Sequence, residues 1–397
     1  MFFKKKFVKI TAIIVLPFIL LSLLAFSVFA AENDTVTNAP KGTEPAFTLE
    51  CKSAILMEAG TGKVIFEQNA DEALPPASVT KVMTLLLVME AIEDGKISLD
   101  DTVRTSAHAA SMGGSQIFLK EGEEMSVEDM VKSVVIASAN DAACALAEHV
   151  SGSEEAFVKK MNERASELGM KNTSFENTNG LDDTATNHLT SARDIAIMSR
   201  ELIKHPKILE YSSIWMDTVR NGLFGLTNTN RLVRFYRGCT GLKTGSTSKA
   251  GFCVSATAER DGVSLICVIM GAESGDNRNA IASRLLDYGF ANYGVYSYTP
   301  EGIDDVRVTG GSSERVGVEA ESFSCVLEKE KITRVQYKIE LPDSLCAPLK
   351  KGDKVGEIVF TCDGEEIGRS GIYATADMPK IGFFELWCRI LSKFFLK

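Results

Sequence analysis

Two adjacent β-type runs place an antiparallel sheet at the centre of this chain. Residues 250–258 and 262–271 are rich in Val, Ile, Ala and Cys and are separated by a short polar turn, a pattern that predicts two paired strands. A second hairpin is predicted where residues 53–57 and 63–67 flank a Gly-Thr-Gly turn. Because these strand patterns stand on either side of a long helical region, the sequence predicts an α+β fold with helices packed on an antiparallel sheet.

Apolar residues recur at helical spacing between the two hairpins and again after the second. The predicted helices are 79–92, 127–137, 141–150 and 278–292. Ser138-Ala139-Asn140 interrupts the pattern between the second and third helices. Side chains at such a break can point into a cleft instead of lying on a helix face.

The sequence after residue 299 differs in composition and in the length of its apolar runs. Short β-type runs at 322–327, 333–341 and 354–362 alternate with Gly, Pro and Asp turns, and no histidine occurs there. At 397 residues the chain is also longer than one average domain. We therefore expect a first domain over residues 47–297 and a small all-β domain over 298–376 that serves as a spacer or docking module.

The last segment, 377–397, is predicted to form an amphipathic helix. One side carries Phe383, Phe384, Trp387, Ile390, Leu391, Phe394 and Phe395, and the other side carries Glu385, Arg389 and Lys393. From Met378 onward it has four cationic side chains and a single acid, so it would be attracted to an anionic lipid surface. Peripheral attachment to a membrane is the expectation, and a helix packed on its own domain is the alternative.

The N-terminus has the pattern of an export signal. Residues 1–30 combine four lysines with a long apolar run and end in small residues, which predicts a signal peptide, with a retained membrane anchor as the alternative. Residues 31–46 are polar and predict a flexible spacer. Without the four lysines the formal charge changes from −10 to −14, which argues against a nucleic-acid partner. We expect an exported protein on the outer face of the cytoplasmic membrane.

The cysteines and histidines do not suggest a metal site or a histidine-dependent triad. Nine cysteines are scattered without a Cys-x-x-Cys pair, and the four histidines have no His-x-x-x-His spacing. There is also no Gly-x-Ser-x-Gly sequence. The cysteines are interpreted as mostly buried thiols, and no metal or other cofactor is expected.

A serine nucleophile is suggested by Ser78-Val79-Thr80-Lys81, where a proline-containing loop enters an apolar helix. Ser78 and Lys81 would share a helix face, and a lysine whose charge is disfavoured by burial or by nearby cations can accept the serine proton. The same spacing recurs at residues 246–249. Further motifs are therefore needed to decide which serine is the nucleophile. Two further motifs support the first pair: Ser138-Ala139-Asn140 at the helix break and Lys243-Thr244-Gly245 before a predicted strand.

In this order and setting the motifs resemble those of the penicillin-recognising serine enzymes. The similarity is greatest to the low-molecular-weight penicillin-binding proteins that are serine-type D-alanyl-D-alanine carboxypeptidases, and it extends from about residue 53 to the C-terminus. Further matching segments are Ala59 to Val64, Pro75 to Ser78, Ser138 to Ala143, Asn179 to Asp182, Ser191 to Asp194 and Gly241 to Gly245. The family also has a small β domain and an amphipathic C-terminal anchor, and both are predicted here independently.

The resemblance implies a role for each motif residue. Ser78 would attack the penultimate D-alanine of a peptidoglycan stem peptide, Lys81 would be its base, and Ser138 would relay a proton to the leaving amine. Asn140 would hold a substrate amide, while Lys243 keeps the site electropositive and Thr244 binds the terminal carboxylate. The remaining implied substrate-binding residues are Gly245, Ser246, Arg231 and Arg278. β-Lactams would acylate the same serine.

Two other functions share some of these features. A class A β-lactamase has the three motifs and a glutamate that activates the deacylating water, but the segment 176–180 places its asparagine one residue early, and Gly180-Leu181-Asp182 fits the carboxypeptidases. A non-catalytic, membrane-tethered wall-binding or β-lactam-sensing protein is the second alternative. The intact motifs argue against it.

Overall fold

The computed structural model describes residues 49–182 and 185–395. The segments predicted as a signal peptide, 1–30, and as a spacer, 31–46, lie outside the described residues. The described chain begins with mixed helices and antiparallel strands and continues into a region built mainly of strands. The predicted α+β class is therefore confirmed.

The bounds of the elements are as follows, numbered in chain order. The strands are β1 Ser53–Glu58, β2 Val64–Gln68, β3 Thr102–Arg104, β4 Glu124–Ser126, β5 Met216–Val219, β6 Phe224–Thr227, β7 Cys239–Thr247, β8 Gly251–Arg260, β9 Val263–Ala272, β10 Tyr293–Tyr298, β11 Val306–Thr309, β12 Arg315–Val316, β13 Val318–Ala320, β14 Phe323–Glu328, β15 Val335–Glu340, β16 Ser344–Cys346, β17 Lys354–Cys362 and β18 Glu365–Ala374. The α-helices are α1 Lys81–Glu93, α2 Ala107–Ala110, α3 Val127–Ile136, α4 Asn140–Ser151, α5 Glu154–Glu167, α6 Ala192–Leu202, α7 Pro206–Ser212, α8 Leu232–Phe235, α9 Gly275–Asn292, α10 Lys329–Ile332 and α11 Phe383–Phe395.

The central sheet has five strands in the order β2-β1-β9-β8-β7. Every neighbouring pair is antiparallel, and both hairpins predicted from the sequence are present as β1-β2 and β8-β9. The pairing of β1 with β9 joins the two hairpins into one sheet. Strand β7 lies at the sheet edge and carries Lys243-Thr244-Gly245, so a substrate backbone has an edge along which it can lie.

Each face of the central sheet packs against its own set of helices. Alternate residues of β9 point to opposite faces: Ile266 and Val268 join the core formed with α1, α3 and α4, whereas Leu265 and Ile269 join the core formed with α9. Both faces are therefore covered by helices. This two-sided burial accounts for the nearly continuous apolar sequence of β8 and β9.

Two predicted helices begin at different residues in the structure. The predicted helix 79–92 starts as a 3₁₀ turn, Ala77–Thr80, followed by α1. The φ angle of Ala77 is 49°, so a regular helix cannot continue back through it. The predicted helix 278–292 begins three residues earlier, at Gly275, because the Ser274 side chain accepts a hydrogen bond from the Asn277 N–H and caps it.

The C-terminal region forms the expected all-β domain. Its largest sheet has the order β13-β18-β17-β15, and Ile358, Phe360 and Ile372 lie at the centre of a separate hydrophobic core. The predicted runs 322–327, 333–341 and 354–362 correspond to β14, β15 and β17. The proposed boundary between residues 297 and 298 falls inside β10, which pairs with β14.

The last described element, α11, leaves its large apolar side chains in solvent. Phe383, Phe384, Trp387, Ile390 and Leu391 are all exposed, while Arg389 donates hydrogen bonds to the carbonyls of Gly311 and Ser312. Among the residues that the structure describes, no helix has both the length and the hydropathy needed to cross a bilayer.

All nine cysteines lie in the described part of the chain and carry free thiols. Five of them are buried, which agrees with the interpretation of mostly buried thiols.

Candidate active site

The Ser78-Lys81 pair has hydrogen-bonding geometry. Ser78 lies in the 3₁₀ turn that enters α1, and the Lys81 Nζ donates to its Oγ over 2.8 Å. The same Nζ donates to the Asn179 carbonyl over 2.9 Å, which fixes the end of the lysine side chain. Ser78 is partly exposed whereas Lys81 is fully buried. A solvent-accessible hydroxyl is thus joined to a buried amine.

Burial gives this amine the character of a base. Desolvation is the largest cause that holds the pKa of Lys81 well below its ordinary value, and the charge of Lys243 lowers it further, while Asp141 acts in the opposite direction. The second Ser-x-x-Lys pattern differs in this respect, because Lys249 is exposed and donates to the Asp182 carbonyl. Burial therefore distinguishes two sequence patterns that look alike.

Gly245 allows strand β7 to pass directly against the serine turn. A Cβ at position 245 would lie 2.8 Å from the Pro76 carbonyl oxygen, 2.8 Å from the Ser78 nitrogen and 2.9 Å from the Val79 nitrogen. The next residue on the strand is Ser246, whose side chain is exposed. The close approach places strand β7 directly against the turn that carries Ser78.

The helix break between α3 and α4 holds the second motif. Ser138 is buried and adopts a φ angle of 62°, which turns the chain between the two helices. Asn140 Nδ2 donates to the Gly113 carbonyl over 2.7 Å, but its buried Oδ1 has no hydrogen-bond partner among the described residues. A buried acceptor without a partner is costly, and a substrate N–H would satisfy it.

A chain of hydrogen bonds connects the second motif to the third. Thr244 Oγ1 donates to Thr229 Oγ1 over 2.8 Å, and the Thr229 N–H donates to the carbonyl of Ile136, two residues before Ser138. Asp141, just after the break, also lies close enough to influence the pKa of Lys81. The fold therefore brings together motifs that are far apart in the sequence.

The predicted cations occupy different positions. Lys243 is buried, and desolvation together with the charge of Arg278 lowers its pKa to about 7. Arg278 is also buried and donates to Asn279 Oδ1 and to the Cys253 carbonyl. Arg231 is 58% exposed and pairs with Asp276 over 2.9 Å. Arg278 thus lies beside the site, whereas Arg231 lies in a surface ion pair.

The segment 177–181 is a part of the site to which the sequence motifs assigned no role. Asn179 holds Lys81 through its carbonyl, and the Thr178 carbonyl accepts from Thr84 Oγ1 over 2.6 Å. Gly180 has a φ angle of 85°, and a Cβ there would lie 1.8 Å from the Ala77 carbonyl oxygen. The Asn-Gly pair was the available signal, because it marks a turn with positive φ.

Gly180→Ala is expected to destabilise the protein strongly, because the added methyl group combines a strained φ with a backbone clash. We expect a loss of about 3 kcal/mol or more in the free energy of unfolding. Gly169→Ala is the matched control, since Gly169 has a φ angle of 72° but no atom within 4 Å of its Cβ position; strain alone should cost it about 1 kcal/mol. Urea unfolding measures the free energy of unfolding of both variants. Equal losses would contradict the close contact between position 180 and the Ala77 carbonyl.

His188 supports the serine turn through a hydrogen bond that the sequence did not indicate. Its Nδ1 accepts from the Glu176 N–H over 3.0 Å, so its Nε2 carries the proton and donates to Thr80 Oγ1 over 2.7 Å. Thr80 Oγ1 in turn donates to the Ala77 carbonyl. Desolvation lowers the pKa of this histidine to about 4, so at neutral pH it is uncharged and holds the turn that carries Ser78.

The histidine should make stability depend on pH. Its pKa is about 4 in the fold against an ordinary 6.5, so the unfolded chain binds more protons between these values. The stabilisation is complete above pH 6.5 and is lost as the pH falls towards 4, by about 3 kcal/mol. Urea unfolding between these pH values should show a weaker pH dependence in His188→Gln. Identical pH dependences would contradict a neutral His188.

The geometry can be compared with known proteins. Residues 37–274 match the family model of D-alanyl-D-alanine carboxypeptidases, peptidase family S11, and residues 301–380 match the C-terminal domain of penicillin-binding protein 5. The chain belongs to the D-alanyl-D-alanine carboxypeptidase family. The predicted resemblance is therefore confirmed, and the all-β domain is of the type found in penicillin-binding protein 5.

Relatives of this family match the chain over most of its length. The D-alanyl-D-alanine carboxypeptidase DacF of Bacillus subtilis is 44% identical over 350 residues, covering 86% of this chain and 90% of the relative. The structure of penicillin-binding protein 5 from Haemophilus influenzae superposes with a TM-score of 0.70 at 32% identity, covering 85% of this chain and 100% of that one.

A third relative was solved with an antibiotic bound. Penicillin-binding protein D2 from Listeria monocytogenes, in its ampicillin-bound form, is 32% identical with a TM-score of 0.57, covering 62% of this chain and 100% of that one.

Proposed function

We propose that this protein is a serine-type D-alanyl-D-alanine carboxypeptidase that removes the terminal D-alanine from peptidoglycan stem pentapeptides through an acyl-enzyme on Ser78. One observation carries the proposal: a partly exposed serine hydroxyl accepts a 2.8 Å hydrogen bond from a fully buried lysine, and the pKa of that lysine is lowered by its burial. Family membership supports the same activity.

Acylation begins with proton transfer inside the Ser78-Lys81 pair. Neutral Lys81 takes the proton from Ser78 Oγ, and the oxygen attacks the carbonyl carbon of the penultimate D-alanine. The N–H groups of Ser78 and Ser246 stabilise the resulting oxyanion. Collapse of the intermediate breaks the peptide bond, and Ser138 passes a proton to the leaving amine. Water then hydrolyses the ester and regenerates the serine.

The substrate ends in a carboxylate, and the surrounding residues suit that charge. Thr244 and Lys243 would bind the carboxylate from strand β7, with buried Arg278 adding positive potential beside Lys243. Arg231 would help from the rim if it left its ion pair with Asp276. Asn140 Oδ1 would accept the N–H of a substrate amide, which satisfies the unpartnered acceptor described above.

β-Lactams should acylate Ser78 because their strained amide is attacked in the same way. The ampicillin-bound Listeria monocytogenes relative supports this part of the proposal. The direct test is release of D-alanine from a diacyl-Lys-D-Ala-D-Ala peptide, together with nitrocefin turnover. We expect D-alanine release and a slowly decaying acyl-enzyme. Fast sustained nitrocefin hydrolysis would support a β-lactamase instead, and absence of D-alanine release would support a non-catalytic sensor.

We also propose that the protein is exported and rests on the outer face of the cytoplasmic membrane, with residues 1–30 as the signal peptide. Helix α11 would attach it, because its exposed apolar side chains have no cover among the described residues and residues 380–397 carry four cations against one acid. Co-sedimentation with phosphatidylglycerol vesicles tests this attachment. Binding should be lost in the double variant Phe384→Glu, Trp387→Glu and retained in Glu385→Gln. Equal binding of both variants would exclude α11 as the anchor.

A further inference from the structure

Three side chains with metal-binding atoms meet at a place that the proposed reaction does not use. His108 comes from α2, Cys144 from α4 and Glu154 from the first residue of α5. One ligand atom of each lies within 4.8 Å of the other two, and His108 Nε2 is 2.7 Å from Glu154 Oε2. These three residue types are the ligands that Zn²⁺ and similar cations prefer.

The burial of the three residues suits a site that is closed on one side and open on the other. Cys144 is fully buried, the Glu154 side chain is 13% exposed and the His108 side chain is 52% exposed. His108 and Glu154 also line a cleft of about 620 Å³. A cation bound here would have its three protein ligands on the buried side and a water as the fourth tetrahedral ligand on the side of the cleft.

The local charge favours a cation. Glu148 and Glu155 lie close enough to act electrostatically on both His108 and Cys144, so they add negative charge beside Glu154. A divalent cation with one thiolate, one carboxylate and one neutral imidazole makes a site with no net charge.

Glu154 also connects this place to the segment that holds Lys81. Its Oε1 accepts from the Thr178 N–H over 3.0 Å and from Thr178 Oγ1 over 2.6 Å. Its Oε2 is paired with His108 Nε2 over 2.7 Å, and the Cys144 thiol hydrogen-bonds the same carboxylate. Oε2 can therefore bind a cation together with these two side chains while Oε1 keeps its bonds to Thr178. A bound cation would therefore restrain Glu154 and the 177–181 segment together.

We propose that Cys144 Sγ, His108 Nε2 and Glu154 Oε2 bind one Zn²⁺-like divalent cation, and that the cation stabilises the fold by joining α2, α4 and α5. The sequence spacing does not indicate the site, because Cys144 follows His108 by 36 positions and Glu154 follows Cys144 by ten. The inference does not depend on the proposed activity, since its test measures binding and stability alone.

The probe is Co²⁺ added to the full-length protein with its thiols reduced. The wild type should bind one Co²⁺ tightly and show sulfur-to-cobalt charge-transfer absorption. That absorption should disappear in Cys144→Ala and persist in Cys346→Ser, the control for an exposed thiol. His108→Ala removes a half-exposed side chain, so it should fold, and its affinity should be at least about tenfold weaker.

Stability gives a second measurement of the same site. Zn²⁺ should raise the melting temperature of the wild type and of Cys346→Ser, with little effect on His108→Ala. The proposal is overturned if the wild type shows no charge-transfer absorption, if His108→Ala binds Co²⁺ as tightly as the wild type, or if the absorption is lost in Cys346→Ser.

Discussion

Replacing Ser78 with alanine is expected to reduce the release of D-alanine by about a millionfold and to abolish acylation by benzylpenicillin. The alanine removes the oxygen that forms the ester, and no other hydroxyl is bonded to Lys81 in the described part of the chain. Because Ser78 is only partly buried, the free energy of unfolding should change little. Single-turnover release of D-alanine and intact mass after benzylpenicillin measure the two effects.

Ser248→Ala is the control for this variant. Ser248 is an exposed serine in the loop that contains the second Ser-x-x-Lys pattern, so its loss should leave both measurements unchanged. Acylation that persisted in Ser78→Ala and disappeared in Ser248→Ala would show that the nucleophile lies in the loop at residues 246–249.

Replacing Lys81 with methionine is expected to reduce acylation by at least about a thousandfold. Methionine keeps a similar length but cannot take the Ser78 proton. Stability should not fall in proportion, because burial of the lysine amine is itself unfavourable, as the lowered pKa indicates. The cost that remains is the loss of its two hydrogen bonds, to Ser78 Oγ and to the Asn179 carbonyl, about 1 kcal/mol each. Stopped-flow acylation and urea unfolding together test this combination.

Lys249→Met is the matched control, since Lys249 occupies the same place in a Ser-x-x-Lys pattern but is exposed. It should acylate at the wild-type rate. If Lys81→Met also acylated at that rate, another group would have to be the base.

The hairpins and the motif elements could be predicted because their signals are local. The apolar runs of β8 and β9 and the turn between them lie in one short stretch, and Lys243-Thr244-Gly245 stands next to them on β7. The order of the three motifs then indicated the family. The amphipathic pattern of the tail was likewise visible in the spacing of its aromatic residues, and α11 has that exposed face.

The supporting groups could not be predicted, since their roles depend on contacts between distant segments. His188 is bonded to Thr80 across 108 positions of sequence, and Gly180 is required by the carbonyl of Ala77. The sequence also did not indicate which lysine is buried. Lys81 and Lys249 follow serines at the same spacing, and only the fold shows that Lys81 is buried and Lys249 exposed.

The most direct test of the central claim is a peptide map of the wild-type protein after reaction with benzylpenicillin. Trypsin should release residues 64–81, in which Ser78 is the only serine. We predict that the intact protein gains the mass of one benzylpenicillin and that the adduct lies on this peptide, at Ser78. An adduct on the peptide that contains Ser246, or no covalent adduct at all, would contradict the proposed acyl-enzyme.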